Sequence, residues 1–292
     1  MAQKSSKQRA EEAVLDLNSK LRQLNKALAV KGAVVAENAP LVATIKAVEG
    51  MKEQAVTMNI FRGQQFLGFV DEVLPPMRIA DGYKSANLNF CFSQCSALKT
   101  LPTVENINMA VNMSSYASSC PSLVEVSLSE ITNATNISGA FSNCRSLTSV
   151  AIGAAPKVTN ASQIFSGCSR LTDVSIDLSG GLLTNLNLAF LGCVNLRRVT
   201  GVIDLSSVAS VAGVFQECSS LEEVRIKGLK ADLDLSACAN LSVESVKYLI
   251  DNAQSVSGKR IDLNRALLDA NEEALGDLGD TASDKGWTIN YK

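Results

Sequence analysis

The chain has 292 residues, 46% of them hydrophobic, with a formal net charge of -2 and a pI of about 5.4. No basic block stands out, so no nucleic-acid partner is expected, and no apolar run reaches the roughly 18 residues of a membrane span, so no insertion is expected either. Histidine is absent, which removes the commonest general base and the commonest metal ligand.

No catalytic, cofactor-binding or metal-binding residue is therefore expected, and the chain reads as non-enzymatic. Met1 to Arg9 is polar and charged rather than the start of a secretion signal. The expected folding compartment is a cytoplasm, where cysteines stay reduced.

In chain order, residues 1–30 come first as an amphipathic helix. Val14, Leu17, Leu21, Leu24 and Leu28 form a heptad seam, with Glu11, Glu12, Lys20, Arg22 and Lys26 off it. The stripe is too short to be stable alone. It either packs on its own chain or serves as an oligomerisation and attachment helix. Residues 31–52 read as a small helical adaptor, with Asn38 as cap, Pro40 in the first turn and Gly50 as stop. Residues 53–86, with Phe66, Phe69, Val70, Pro75 and Pro76, read as a lid over the region that follows.

That region, residues 87–241, repeats. Cys95, Cys120, Cys144, Cys168, Cys193, Cys218 and Cys238 follow one another at intervals of 25, 24, 24, 25, 25 and 20 residues. Three residues after each comes a leucine, Leu98 to Leu241, and three before most of them a phenylalanine: Phe92, Phe141, Phe165, Phe190 and Phe215. A fixed period with fixed apolar positions is a solenoid, in which stacking completes a core that one repeat cannot bury. After each leucine an alternating segment such as Leu171-Thr-Asp-Val174-Ser-Ile176 predicts a strand, with Val174 and Ile176 inward and Ser175 outward. Two of these strands are expected to be short: the one from Leu98, because of Pro102, and the one from Leu196, because of Gly201.

Asn87, Asn112, Asn136, Asn160 and Asn185, followed by Ser210, occupy one register position and predict a ladder of buried amides that bond the turn backbone of their own and of the next coil. The Asn-x-Ser/Thr triplets at Asn112, Asn133, Asn136 and Asn160 read as the same turn chemistry. Spacing rules the cysteines out as metal ligands. Buried, reduced thiols packed between phenylalanine and leucine layers are expected, with Cys91 outside the ladder as a surface thiol. Glu125, Asp173 and Glu223 fall at outward strand positions and read as a solvated face.

Residues 242–292 predict an α+β cap. Ser242 starts a helix to Asn252, a strand runs from Gly258 to Leu263, a helix lies around Asn271–Asp280, and Trp287 to Tyr291 closes as a strand. Trp287 reads as an anchor of this cap.

Phe-x-x-Cys-x-x-Leu-x-x-Val, preceded by Thr-Asn, resembles the BspA-type leucine-rich repeats. The resemblance implies an α/β repeat fold: a leucine-rich-repeat solenoid of about six coils of 24–25 residues, with an N-terminal helix and an α+β C-terminal cap. The family includes bacterial surface adhesins and phage structural proteins. Residues 31–50 are similar to attachment modules of phage tails and fibres, and the Ser257-Gly-Lys … Lys285-Gly-Trp-Thr-Ile289 phrase to caps of phage and prophage surface proteins. These resemblances imply a virion component, folded in the bacterial host cytoplasm and bound to other virion proteins. They also imply a homo-oligomer, a trimer by likeness to fibre modules, with a host-surface glycan or protein as further partner. A bacterial cell-surface adhesin is the alternative.

Overall fold

The computed structural model describes residues 77–79 and 85–292, together with Lys20. The heptad seam at Val14, Leu17, Leu21, Leu24 and Leu28, the adaptor at 31–52 and most of the lid at 53–86 lie outside the described residues.

The first described strands are two or three residues long: β1 (Met77–Arg78), β2 (Ala86–Asn87), β3 (Val104–Glu105) and β4 (Ala110–Asn112). β1 pairs with β3 and β2 with β4, both in parallel. The main sheet follows, with β5 (Glu125–Leu128), β6 (Ser149–Ala154), β7 (Asp173–Asp177), β8 (Arg198–Asp204) and β9 (Glu223–Lys227) parallel and in sequence order. Each strand belongs to one repeat, so every repeat adds one rung. Val126, Val150, Val174, Val199 and Val224 pair in one buried column. Ser127, Ala151, Ser175 and Thr200 point outward, as period-2 alternation requires.

Behind the sheet the repeat residues stack by type. Leu123, Leu147, Leu171, Leu196 and Leu221 are fully buried. Phe141, Phe165, Phe190 and Phe215 stack with ring centroids 5.2–5.9 Å apart. The second coil has Ala117 at the phenylalanine position. Its ring comes from Tyr116, which stands edge-on to Phe92 at 5.2 Å and to Phe141 at 6.3 Å. The Tyr116 hydroxyl is buried without a partner among the described residues.

Each turn carries two residues in the left-handed region, five positions and one position before the cysteine. Gly139, Gln163 and Leu188 belong to the first column, and Asn143, Gly167 and Glu217 to the second. Glycine is free there, whereas Gln163 and Leu188 at φ 56° and 57° are held only because their N–H groups bond Asn187 and Ala212 carbonyls of the next coil.

β8 departs from expectation. Gly201 does not end it, and at seven residues it is the longest strand of the sheet. Val199 pairs with Val224 and Ile203 with Ile226, so Thr200, Gly201 and Val202 stand opposite Arg225 alone. The chain bulges instead of stopping. Gly201 is required there, because a Cβ would lie 2.2 Å from the Ile176 carbonyl oxygen and φ is 94°. The coil from Leu98 does keep little strand, a bridge from Thr100 to Glu125 followed by β3.

The C-terminal sheet takes its first strand from upstream of residue 242. β10 (Leu233–Leu235), β11 (Lys259–Leu263) and β12 (Trp287–Tyr291) are parallel in that order. Parallel neighbours need crossovers, supplied by helix α1 (Val243–Asp251) and then by α2 (Arg265–Ala270) and α3 (Glu272–Asp284). The stretch read as one helix around Asn271–Asp280 is thus preceded by a second, capped by Asn264. Trp287 is buried and donates from Nε1 to the Gln254 carbonyl at 2.9 Å. Lys285 Nζ donates to the Ile250 and Asp251 carbonyls at the end of α1, at 2.9 and 2.6 Å.

Candidate functional site

The repeated residues serve the stack. All eight cysteines are buried free thiols, Cys91 included, which lies 3% exposed among the first-coil core residues rather than at the surface. The thiols are more than apolar filler. Cys120, Cys144, Cys168, Cys193 and Cys218 donate to carbonyls of the preceding coil, at Phe92, Ala117, Phe141, Phe165 and Phe190, over 3.0–3.2 Å. Burial pushes the Cys168, Cys193 and Cys218 thiols up, and Cys238 rises to about 12. They stay protonated and are poor nucleophiles.

The asparagine column is present in register and keeps the own-turn half of the expected bonding, while among the described residues no amide of the column bridges to the next coil. Asn112, Asn136, Asn160 and Asn185 are half-buried, and their Oδ1 atoms accept the N–H two residues on, in the same turn, at 3.0–3.1 Å. Asn87 is exposed and does the same at 3.2 Å. Backbone groups bridge the coils at this position, for example Ile137 N–H to the Asn160 carbonyl at 2.9 Å. Threonines supply the side-chain bridge: Thr135, Thr159 and Thr184 donate to Val111, Thr135 and Thr159 carbonyls at 3.2, 3.0 and 2.9 Å. A short hydroxyl directed along the stack reaches the neighbouring carbonyl, while the amide is already spent on its own turn.

On the outer sheet face Glu125, Ser149, Asp173, Arg198 and Glu223 form one row across the strands. Arg198 holds Asp173 at 2.6 Å, and Arg197 grips Glu222 through two bonds of 2.9 and 3.0 Å. Partial burial pushes the Asp173 carboxyl up, but bonds from Thr172 and Arg198 outweigh it and leave the group below its ordinary value. Glu223 lies on the far side of Arg198, and Glu125 is separated from Asp173 by the Ser149 rung. The three carboxylates are not brought together.

Where the regular rungs end, a groove of about 660 Å³ opens, lined on β8 by Thr200 and Gly201, on β9 by Glu223 and Arg225, and on α1 by Ser242, Glu244, Ser245 and Tyr248. Its geometry has three causes. The bulge at Gly201 lifts one wall. The helix is fixed against β9 through Val224 N–H to Ser245 Oγ at 3.1 Å and Ser242 N–H to the Glu222 carbonyl at 2.8 Å. Ser242 caps it, accepting the Ser245 N–H. Finally, the Arg225 guanidinium lies 5.9 Å from the centroid of the Tyr248 ring, a cation–π contact that orients it.

The sequence singled out Gly201, Glu223 and Ser242 among these, though not as parts of one site, and did not point to Thr200, Arg225, Glu244 or Tyr248. A signal was present in Gly201, since glycine inside a strand pattern marks a bulge or close backbone approach. Glu244 and Tyr248, four apart on α1, share one helix face.

Among the described residues no group of histidine, cysteine, aspartate or glutamate side chains is placed to hold a metal ion, and no helix is long and apolar enough to cross a membrane. Residues 88–222 and 137–257, more than half of the chain together, match the BspA type leucine-rich repeat region in six copies. The chain belongs to this leucine-rich repeat family. No curated protein and no solved structure matches it.

Proposed function

We propose that the protein is a non-enzymatic recognition protein whose solenoid presents the outer sheet face and the adjoining groove to a biological surface. The groove carries the reading: it gathers an aromatic ring and charged side chains beside the rung where Arg197 and Arg198 are tied to Glu222 and Asp173. The absence of histidine and the tie between Asp173 and Arg198 support the non-enzymatic part.

The finer reading places it in a bacteriophage virion, as a fibre, baseplate or head-decoration subunit folded in the bacterial host cytoplasm. Residues 1–30 would join it to other virion proteins, as a homo-oligomer with a trimer favoured. Support comes from the heptad seam and from the resemblance of residues 31–50 and of the C-terminal phrase to phage proteins. A bacterial cell-surface adhesin of the BspA kind is the alternative, to which the repeat family is equally suited.

The test is quantification of the chain, by mass spectrometry and immunogold labelling, in purified phage particles and in cell envelopes of the same bacterium. A fixed copy number per particle is expected. Chain in envelopes with none in particles would leave the adhesin standing and remove the virion placement. Recognition itself is read from adherence of the purified full chain to a panel of bacterial and animal cells.

A further inference from the structure

Glu223, Arg225 and Glu244 surround the groove, and none enters an ion pair among the described residues. One rung away the pattern is the opposite, with Arg198 bound to Asp173 and Arg197 to Glu222. The groove therefore offers a ligand two carboxylate acceptors and one five-donor fork, together with the Thr200 hydroxyl, which donates to the Val174 carbonyl at 3.4 Å and keeps its oxygen as an acceptor. A ligand of one charge fits badly. An anion meets Glu223 and Glu244, and a cation finds the Tyr248 ring already occupied by the Arg225 guanidinium.

A neutral polyhydroxylated ligand meets every group. Its hydroxyls donate to the carboxylates and accept from the guanidinium, and its C–H faces lie against the Gly201 backbone and the edge of Tyr248 that Arg225 leaves open. The volume is within the roughly 300–1,000 Å³ of small-ligand sites. Beyond Thr200 the outer face continues through Ser175, Ala151 and Ser127, a row of small side chains paired rung to rung and flanked by the Arg198–Asp173 pair. We propose that the groove binds a neutral oligosaccharide on the surface that the protein recognises. This rests on the recognition reading above and names its ligand class.

The experiment measures adherence of the full chain to cells it binds, before and after mild periodate oxidation, which cleaves vicinal diols of sugars. It also measures binding to an array of neutral oligosaccharides of two to six units. Periodate should lower adherence at least tenfold. Thr200→Trp, which fills the groove from an exposed strand position, should abolish it, and Glu244→Arg, at an exposed helix position, should weaken it at least fivefold without change in melting temperature. Adherence that survives periodate but is lost on protease treatment of the cells overturns the glycan proposal and keeps the recognition reading. Adherence unchanged in both variants overturns the groove as the site. Adherence to no surface in the panel removes the recognition reading, and this proposal with it.

Discussion

The middle coils and the C-terminal end of the solenoid obey different rules. From Cys144 to Cys193 each repeat meets a copy of itself, so one solution is reused: phenylalanine on phenylalanine, thiol to carbonyl, threonine to carbonyl. The register already shifts once between β6 and β7, past Ala151, but from Gly201 onward a wider bulge, a last interval of 20 residues and a helix in place of the next rung come together. Side chains there face partners of another kind, and the unpaired charges and the groove appear at that break. Regular stacking sets like against like, and the groove lies where that regularity is interrupted.

The sharpest way to break the regular half is to remove one ring from its column. Phe165 is fully buried between Phe141 and Phe190. Phe165→Ala should destabilise by about 3–5 kcal/mol, read as a lowered denaturant midpoint. Because each coil leans only on its neighbours, the loss should spread both ways along the stack, seen as faster amide exchange at Ala140 and Ala189.

The junction comes next. Gly201→Ala sets a Cβ against the Ile176 carbonyl oxygen in a backbone that L side chains avoid. A cost of roughly 2–4 kcal/mol is expected in chemical denaturation, with reduced adherence because the groove wall moves. Equal stability of variant and wild type would mean that the bulge is not where it is described.

The smallest effect separates the two regions by pH. Asp262 is 2% exposed in the C-terminal sheet, with Lys292 Nζ at 2.7 Å and Asn290 Nδ2 at 3.0 Å. Burial raises its pKa, but the bonds from Lys292 and Asn290 and the charge of Arg260 outweigh that and hold it below the ordinary value. A depressed folded-state pKa contributes stability above the unfolded carboxyl range near about 4, and that stability is lost as pH falls through the folded value. Amides of β11 and β12 should therefore lose protection before those of β6, a strand without a carboxylate, on acidification below about pH 4. Asp262→Asn should flatten that difference.

How far the sequence reached differs along the chain. Cysteine, leucine and phenylalanine of the repeat all turn out buried, because a 24-residue period puts identical side chains in identical surroundings and burial follows from the pattern. The hydrogen bonds behind that pattern were less legible. Asn160 and Thr159 are adjacent, equally polar and equally periodic, yet Thr159 bridges coils and Asn160 closes its own turn. Side-chain amides do bridge coils at Asn195 and Asn240, positions outside the ladder. Cys91 was misplaced because only burial against the first-coil core, not spacing, tells a buried thiol from a surface one.

The sequence by itself determined the repeat, its register, the inward and outward strand faces and the stacking of like on like, since all of these follow from local periodicity. Tertiary structure alone decided the bulge at Gly201, the left-handed backbone at Gln163 and Leu188, and the meeting of Thr200, Glu223, Arg225 and Tyr248. Each of these depends on what the next coil or helix α1 brings within a few ångströms, and no spacing within one segment encodes that.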